Sequence, residues 1–523
     1  MRLRFQMRRG KVAGVSSVGG PRPGPGLCQR TTVTVWRETR LSISSSSSSL
    51  YRVGAADVDV DVHVDDTIAD AVVSSEEEEH LNQQEDEEEH HTLWGAMALI
   101  IGSTIGAGIL ALPDITQDAG FVPSSVGLVG VWGFLVGQAM LLAEVNISLM
   151  ERQHEEEEEE EEESRGGRML TLRAMAEHTL GKGLGKVTTG VYLSLSYCLL
   201  VAYLTKVGEI FSFASDGRLH GDGIVDAFVL ASLGLFAIGG PAAADSLNQG
   251  LTSVLVGVFI SILVLGMAGT DLGMLVQHGG SMSDSLHALG PAIPIMFLSL
   301  VYHDLIPLIC SYLGGDRTKI RKALVFGSLV PLVMFVSWEG VSLAFFNTYM
   351  SHHHDISPSY HIDPVNVLIS ESGNPLIGNL VQGFSFIAIA TSFLGTTMGV
   401  SETIRSELHT ALESGKEKIS FSNVFQEEDM SRNIALGLTL LPPLVWTTTG
   451  DPKAFINVLS VAGGYGMTLL YGIFPPMMAH KSRGMMNKDT HVLLLPGGNV
   501  MLGGLFGIAC GLGLYRLLGD VLS

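Results

Sequence analysis

Between Leu93 and Arg516 the chain repeats one pattern eleven times: an apolar stretch of near-spanning length, then a more polar connection. The stretches are 93–113, 122–149, 187–212, 222–240, 247–269, 291–313, 323–347, 377–400, 432–449, 454–479 and 494–516. A helix needs about 20 apolar residues to cross the hydrocarbon core of a bilayer. Inside that core every backbone polar group must find a partner within the protein, so stretches of this length span as helices. Gly and Pro interrupt them more often than a soluble helix tolerates. A membrane bundle accepts this, because neighbouring helices satisfy the freed backbone groups. The expectation is an all-α membrane protein of about eleven transmembrane helices, surrounded by lipid.

Charge supports that reading. Charged residues make up 16% of the chain, against about 25% in soluble proteins. They are also clustered. Fifteen acids lie between Asp57 and Glu89, and ten more are Glu151 and Glu155 to Glu163. The net charge of −22 belongs to these runs; without them 28 acids face 31 bases. No basic patch is left to bind nucleic acid, and nothing calls for an obligatory protein partner.

Ten Arg or Lys precede Gly54, with one acid, Glu38, and the serine run Ser44 to Ser49. An Arg-rich, Ser-rich, acid-poor start without a long apolar core fits an organelle transit peptide rather than a secretory signal; a basic tail is the plainer alternative. Acidic residues 54–92 carry too little apolar surface to fold and are expected to be disordered. The glutamate insertion 155–163 reads as a solvated, disordered face. The chain thus divides into a transit-like segment 1–53, an acidic segment 54–92, a membrane body 93–516 and a tail 517–523. Lys and Arg concentrate in the connections after stretches 2, 6, 8 and 10, whereas those after 3 and 9 hold only Arg218 and Lys453. By the positive-inside rule the N-terminus lies inside and the C-terminus outside.

Two stretches look broken. The first contains Gly102-Ser103-Thr104-Ile105-Gly106-Ala107-Gly108, and the sixth contains Ser299-Leu300-Val301-Tyr302-His303-Asp304 among Pro291, Pro294 and Pro307. Gly102 and Gly106 alone fit GxxxG helix packing equally well. A pair of interrupted helices five spans apart points instead to a transporter of inverted repeats, with its site near mid-membrane. Unwound backbone offers N–H groups to a carboxylate and C=O groups to an ammonium or a cation. A zwitterionic amino acid needs both. Ser103, Thr104, Gly106 and Gly108 would supply that backbone in the first helix, and Ser299, Tyr302 and His303 in the sixth. Tyr197 and Tyr203 would line an aromatic pocket, although a spacing of six does not place them on one helix face.

Ionisable residues inside spans are functional hypotheses by default. Glu144 is either a coupling carboxylate or an interfacial acid at a helix end. Glu209, three residues after Lys206, reads as half of an ion pair. Glu339 lies deep in stretch seven. His303 titrates near physiological pH and stands near the broken segment; a satisfied core histidine is the competing reading. Asp304 stands beside it. The tract His352, His353, His354 and Asp355, with His361 and Asp363, reads as a solvated loop rather than a metal site. Cys28, Cys198, Cys310 and Cys510 have no disulfide or zinc spacing, and no nucleophile triad or phosphate loop is present. Neither an enzyme nor a cofactor is expected.

Six motifs in register resemble the aromatic amino acid permeases, the bacterial tyrosine and tryptophan transporters. They are Gly102 to Pro113; Leu141-Leu142-Ala143-Glu144-Val145; Tyr197, Tyr203 and Gly208-Glu209; His303 with Ser311-Tyr312 and the basic loop Arg317 to Lys322; Thr391-Ser392-Phe393-Leu394-Gly395; and Leu441-Pro442-Pro443-Leu444. The resemblance implies a LeuT-like core of two inverted five-helix repeats, spans 1–5 and 6–10, plus one extra helix. It implies transport of tyrosine or tryptophan by proton symport, with Glu144 and His303 as proton-coupling candidates and Ser392 near the substrate. Sodium coupling through Thr391 and Ser392, and a non-transporting amino acid sensor, are the alternatives. A transit-like start on a bacterial-type permease points to the plastid (chloroplast) inner envelope, with the mitochondrial inner membrane as the alternative. The Gly that the family often carries just before the sixth-helix His is replaced here by Val301-Tyr302.

Overall fold

The computed structural model describes residues 42–46, 50–55, 58–63, 92–159, 171–214, 221–269, 272–275, 282–352, 363–371, 375–414, 428–449, 458, 460–485 and 493–522. The chain forms two units, Met1–His90 and His91–Ser523. In the first, strands β1 (Ser42–Ser46), β2 (Leu50–Ala55) and β3 (Val58–His63) make an antiparallel sheet in that order. Ser42 pairs with Gly54, and Leu50 with His63. The expectation of disorder over 54–92 missed β3. Its run Val58-Asp59-Val60-Asp61-Val62 alternates with the period of a strand, a signal that average composition hides. Residues 1–41 of the transit-like segment and 64–91 of the acidic segment lie outside the described residues.

The second unit is helical. Its helices are α1 (Leu93–Thr104), α2 (Gly108–Thr116), α3 (Phe121–Glu159), α4 (Leu172–Leu180), α5 (Lys182–Ala214), α6 (Gly221–Gly234), α7 (Gly240–Gly269), α8 (Met282–Leu289), α9 (Ile293–Leu300), α10 (Ile306–Tyr312), α11 (Arg317–His352), α12 (Pro364–Glu371), α13 (Pro375–Ser414), α14 (Glu428–Thr449), α15 (Phe474–Met485) and α16 (Gly498–Leu522). Two π-helical stretches, Leu235–Gly239 and Ala462–Ile473, continue α6 and lead into α15.

Among the described residues seven helices are long and apolar enough to cross a membrane, and the bent pair α1–α2 makes an eighth. The remaining three sequence segments are filled by α6 with its π continuation, by α14, and by the second π stretch with α15. Every one of the eleven segments therefore contains helix, and a count of eleven spans is compatible with the fold. Large apolar side chains point outward along these helices, with Ile238 92% and Val500 87% exposed. So much uncovered apolar surface fits contact with lipid tails.

Some helices were not foreseen. α3 continues into the glutamate run as far as Glu159, where a solvated, disordered face was expected; glutamate's helix propensity is high enough to extend an existing helix. The connections hold α4, α8 and α12. Thr171 caps α4 by accepting from the Ala174 N–H at 3.2 Å, and Gly181, at φ 97°, ends it. Gly314 and Gly315, both at positive φ, make the tight turn from α10 to α11. Asp316 then caps α11, accepting from the N–H groups of Lys319 at 3.0 Å and Thr318 at 2.9 Å, which hold its carboxyl below the usual carboxylate range.

Within the bundle α11 packs on α1 and α3, while α13 packs on α5, α7 and α14. The Ala462–Ile473 stretch packs between α9, α5 and α16. Phe259, Trp338 and Phe384 form an aromatic cluster with ring centroids 5.3 to 5.9 Å apart, tying α7, α11 and α13 together.

Candidate functional site

The first span breaks at Ile105–Ala107. Ile105 is extended (φ −80°, ψ 98°), and α2 leaves at 56° to α1. The sixth span breaks at Val301 (φ −74°, ψ 136°) and Tyr302 (φ −143°, ψ 16°), then resumes through a single 3-10 turn, His303–Leu305. Pro307, in the first turn of α10, explains the restart: proline has no N–H to continue the upstream ladder and favours a helix beginning.

The breaks face each other. A Cβ at Gly108 would stand 3.0 Å from the Cα of Ser299, so the backbones of spans 1 and 6 touch there. A Cβ at Gly106 would stand 2.5 Å from the Ser392 hydroxyl oxygen on α13. That oxygen accepts the Ala107 N–H at 3.0 Å, one of the groups freed by the break. Tyr203 of α5 is buried, with its hydroxyl in hydrogen-bonding reach of Ser392 and Thr396. Gly106, Gly108, Ser299, Ser392 and Tyr203 are thus brought together from four spans.

Other residues singled out from the sequence lie around or away from this point. Thr104 and Ser103 turn their hydroxyls back onto the Ile100 carbonyl, at 2.6 and 3.1 Å; Thr104 is buried and Ser103 exposed. Ser299 donates likewise to Ile295 O at 2.8 Å. Tyr302 reaches away, donating to the Leu324 carbonyl of α11 at 3.3 Å. His303 is buried, with Nε2 3.1 Å from the Leu135 carbonyl of α3 and Nδ1 without a partner among the described residues. Tyr197 donates to the Leu438 carbonyl at 2.8 Å and packs beside Val400, Ile404 and Ala435, on the α14 side of α5. The six-residue step from Tyr197 to Tyr203 turns the two rings to different faces.

Glu144 belongs to neither break. It receives two hydrogen bonds from Arg483 of α15, at 2.7 and 3.0 Å, and is 6% exposed. It stands nine residues beyond Leu135, about 13 Å along α3 from the level of His303. Lys206 pairs with Glu209 at 2.9 Å and lies 3.8 Å from Asp363. Thr391 turns its hydroxyl onto Ala388 O at 3.0 Å. No cluster of three metal-ligating side chains exists among the described residues, and His353 to Ile362 lie outside them.

In the sequence Asp304 stands out only as a neighbour of His303. It is exposed although it lies midway along a span, and it accepts from the Tyr471 hydroxyl. The Tyr471 ring lies 5.0 Å from that of His303. Tyr471 comes from the long π stretch, a distortion that recurs at functional sites. The glycine run Gly463-Gly464-Tyr465-Gly466 was the available signal. At Gly463 the backbone closes on the Pro294 carbonyl so tightly that a Cβ would collide with it.

Two interrupted spans, five apart in order, meeting inside an apolar bundle and braced by a serine of span eight, define a membrane transporter of the inverted-repeat kind. Residues 89–516 match the tryptophan/tyrosine permease family, and the chain belongs to it. It is 26% identical to a protein of Haemophilus influenzae called tyrosine-specific transport system 2, over 71% of this chain and 83% of that one. It is 23% identical to glutamine transporter 2 of Aliivibrio fischeri, over 79% and 95%. Among solved structures it is similar to MhsT in complex with L-phenylalanine, with a TM-score of 0.52 and 16% identity, covering 81% of this chain and 97% of that one. That likeness shows the fold, which is LeuT-like. The family is one of permeases, not enzymes.

Proposed function

We propose that this protein carries an aromatic amino acid, tyrosine or tryptophan, across its membrane by alternating access, with protons as the coupling ion. The observation that carries the reading is the pair of facing breaks closed by Ser392. They place unwound backbone, both N–H and C=O, where a zwitterion's carboxylate and ammonium need it. Tyr203 and the ring pair His303–Tyr471 supply aromatic surface nearby. The names of the tyrosine-specific and phenylalanine-bound relatives favour an aromatic side chain; that of the glutamine transporter makes glutamine the comparator.

Counterflow into proteoliposomes is the test. Labelled tyrosine or tryptophan should exchange at least about tenfold faster than glutamine, a difference of some 1.4 kcal/mol in recognition. Exchange of glutamine but of no aromatic amino acid would overturn the substrate. A protein that binds tyrosine and never exchanges it is the sensor of the alternative reading.

We place the protein in the plastid inner envelope, on the Arg- and Ser-rich, acid-poor composition of residues 1–53. Residues 1–90 fused to a fluorescent protein should direct it to plastids. Mitochondrial, plasma-membrane or diffuse cytosolic fluorescence would count against this location.

A further inference from the structure

Glu339 of α11 is fully buried, at 0% exposed, eight residues inside the end of the apolar segment 323–347. One carboxyl oxygen, Oε1, is paired with the Thr116 hydroxyl at the end of α2. The other, Oε2, has no hydrogen-bond partner among the described residues, and neither has the hydroxyl of Ser342, one turn further along α11. The Thr116 hydroxyl carries a single hydrogen and directs it to the Leu112 carbonyl at 2.7 Å. A carbonyl oxygen only accepts. The same hydroxyl stands in donating position to Glu339 Oε1, so one hydrogen faces two acceptors, and a proton on the carboxyl would satisfy both contacts.

No charge faces Glu339 to hold it ionised: among the described residues it forms no ion pair. Asp114 lies on α2 and Asp118 in the turn that follows it, and Asp363 heads α12. Asp114 and Asp363 lie in the field of Lys206 on α5. On α3, Glu144 is taken by Arg483 and Glu151 by Arg317, and Arg152 donates to the Met485 carbonyl. Asp245 sits near the start of α7, and α1, α9 and the Leu272–Leu275 turn carry no charged side chain. On α11 itself Tyr349 and His352 lie beyond the apolar segment. A bare carboxylate here is costly unless α2 withdraws and water enters.

The helix that Glu339 holds is the helix that leaves the first break. α2 begins at Gly108, against Ser299, and ends at Thr116, against Glu339. Its nine residues, with Pro113 among them, span about 13 Å. Trp338 adds a second tie, donating to the Ile109 carbonyl at 3.1 Å. We infer that Glu339, with Thr116, is the proton-binding site that couples transport: with its proton on, α2 is held against α11 and the loaded carrier exchanges substrate, and loss of that proton to water releases α2 for the return of the empty carrier. The step transfers one proton between Glu339 and water entering beside α2; no other bond changes. Glu339, Thr116 and Ser342 offer too few oxygens for a hard cation, which takes six or more. The inference rests on the proton-symport reading above.

The experiment uses full-length protein in proteoliposomes, comparing wild type, Glu339→Gln and Thr116→Val for tyrosine counterflow, for accumulation under an imposed pH gradient, and for the luminal pH change that tyrosine evokes. Glu339→Gln keeps the shape and a donor to Thr116 but has no titrating proton. It should exchange within about threefold of wild type, lose gradient-driven accumulation at least about tenfold and evoke no pH change, a coupling loss of ordinary allosteric size. Thr116→Val should exchange and move the pH at which accumulation is half-maximal. Wild-type accumulation by Glu339→Gln overturns the inference. So does joint loss of exchange and accumulation in both variants, which marks a structural role. Wild-type protein that exchanges tyrosine but accumulates it only on a sodium gradient also overturns it. Wild-type protein that exchanges no aromatic amino acid fails the functional reading instead.

Discussion

Gly106→Leu is expected to abolish transport while leaving the protein inserted. A Cβ at this position would already stand 2.5 Å from the Ser392 hydroxyl oxygen, well inside van der Waals contact. The remaining three carbons of leucine would have to displace α13 or force α1 away from it. Either movement removes the acceptor of the Ala107 N–H, now bonded at 3.0 Å. An unpaired buried N–H costs about 1–3 kcal/mol, and the misplaced break adds the loss of substrate contacts. Together these should lower counterflow at least about a hundredfold, the equivalent of some 3 kcal/mol. Insertion should survive, because the apolar length of span 1 is unchanged or increased. Ser392→Ala should do less harm: it makes room but removes the acceptor, leaving the break intact and one N–H unpaired. Immunodetection in the membrane fraction separates misfolding from inactivity. Near-normal exchange by Gly106→Leu would reduce the glycines to a packing role.

In a membrane chain of this type the spans and the breaks are legible from sequence. Its spans are written in composition, since lipid demands long apolar helices whatever the tertiary detail. Its breaks are written in local chemistry: Gly106, Gly108 and Pro307 each act on the backbone they belong to. The partners of a side chain are not local. The sequence marks Tyr302 for its unwound backbone, but it does not tell where the ring goes: the hydroxyl turns toward α11 and donates to the Leu324 carbonyl. The sequence offers Tyr197 with Tyr203 as pocket lining while their spacing of six sets them on different faces, and only the fold shows that Tyr197 faces α14. Thr116 and Glu339 are 223 residues apart, and only the folded bundle makes them neighbours. Helix α4 and strand β3 were missed for the opposite reason: their signals were short, a threonine cap before a brief amphipathic run and five alternating residues, inside segments judged by average composition.

Glu144 joins this second group, and its placement sets the other large expected effect. Arg483→Met should destabilise the protein strongly. The pair is bidentate, at 2.7 and 3.0 Å, with side chains only 11% and 6% exposed. It joins span 2 of the first repeat to the end of span 10 in the second. Removing one member of a buried pair strands the other charge without water, and such losses run to about 3–5 kcal/mol. The thermal denaturation midpoint in detergent should fall clearly for Arg483→Met and for Glu144→Gln. The double variant Glu144→Leu with Arg483→Met should recover most of the loss, because replacing both charges by apolar groups removes the stranded charge along with the attraction. The same double variant decides what Glu144 does in transport. With its carboxylate bound by Arg483 and about 13 Å along the helix from the level of His303, Glu144 is expected to hold the two repeats together and to leave the coupling proton to Glu339. The double variant should therefore accumulate substrate on a pH gradient as wild type does. A variant that regains stability and exchange but not accumulation would return Glu144 to the coupling path and take that role from Glu339.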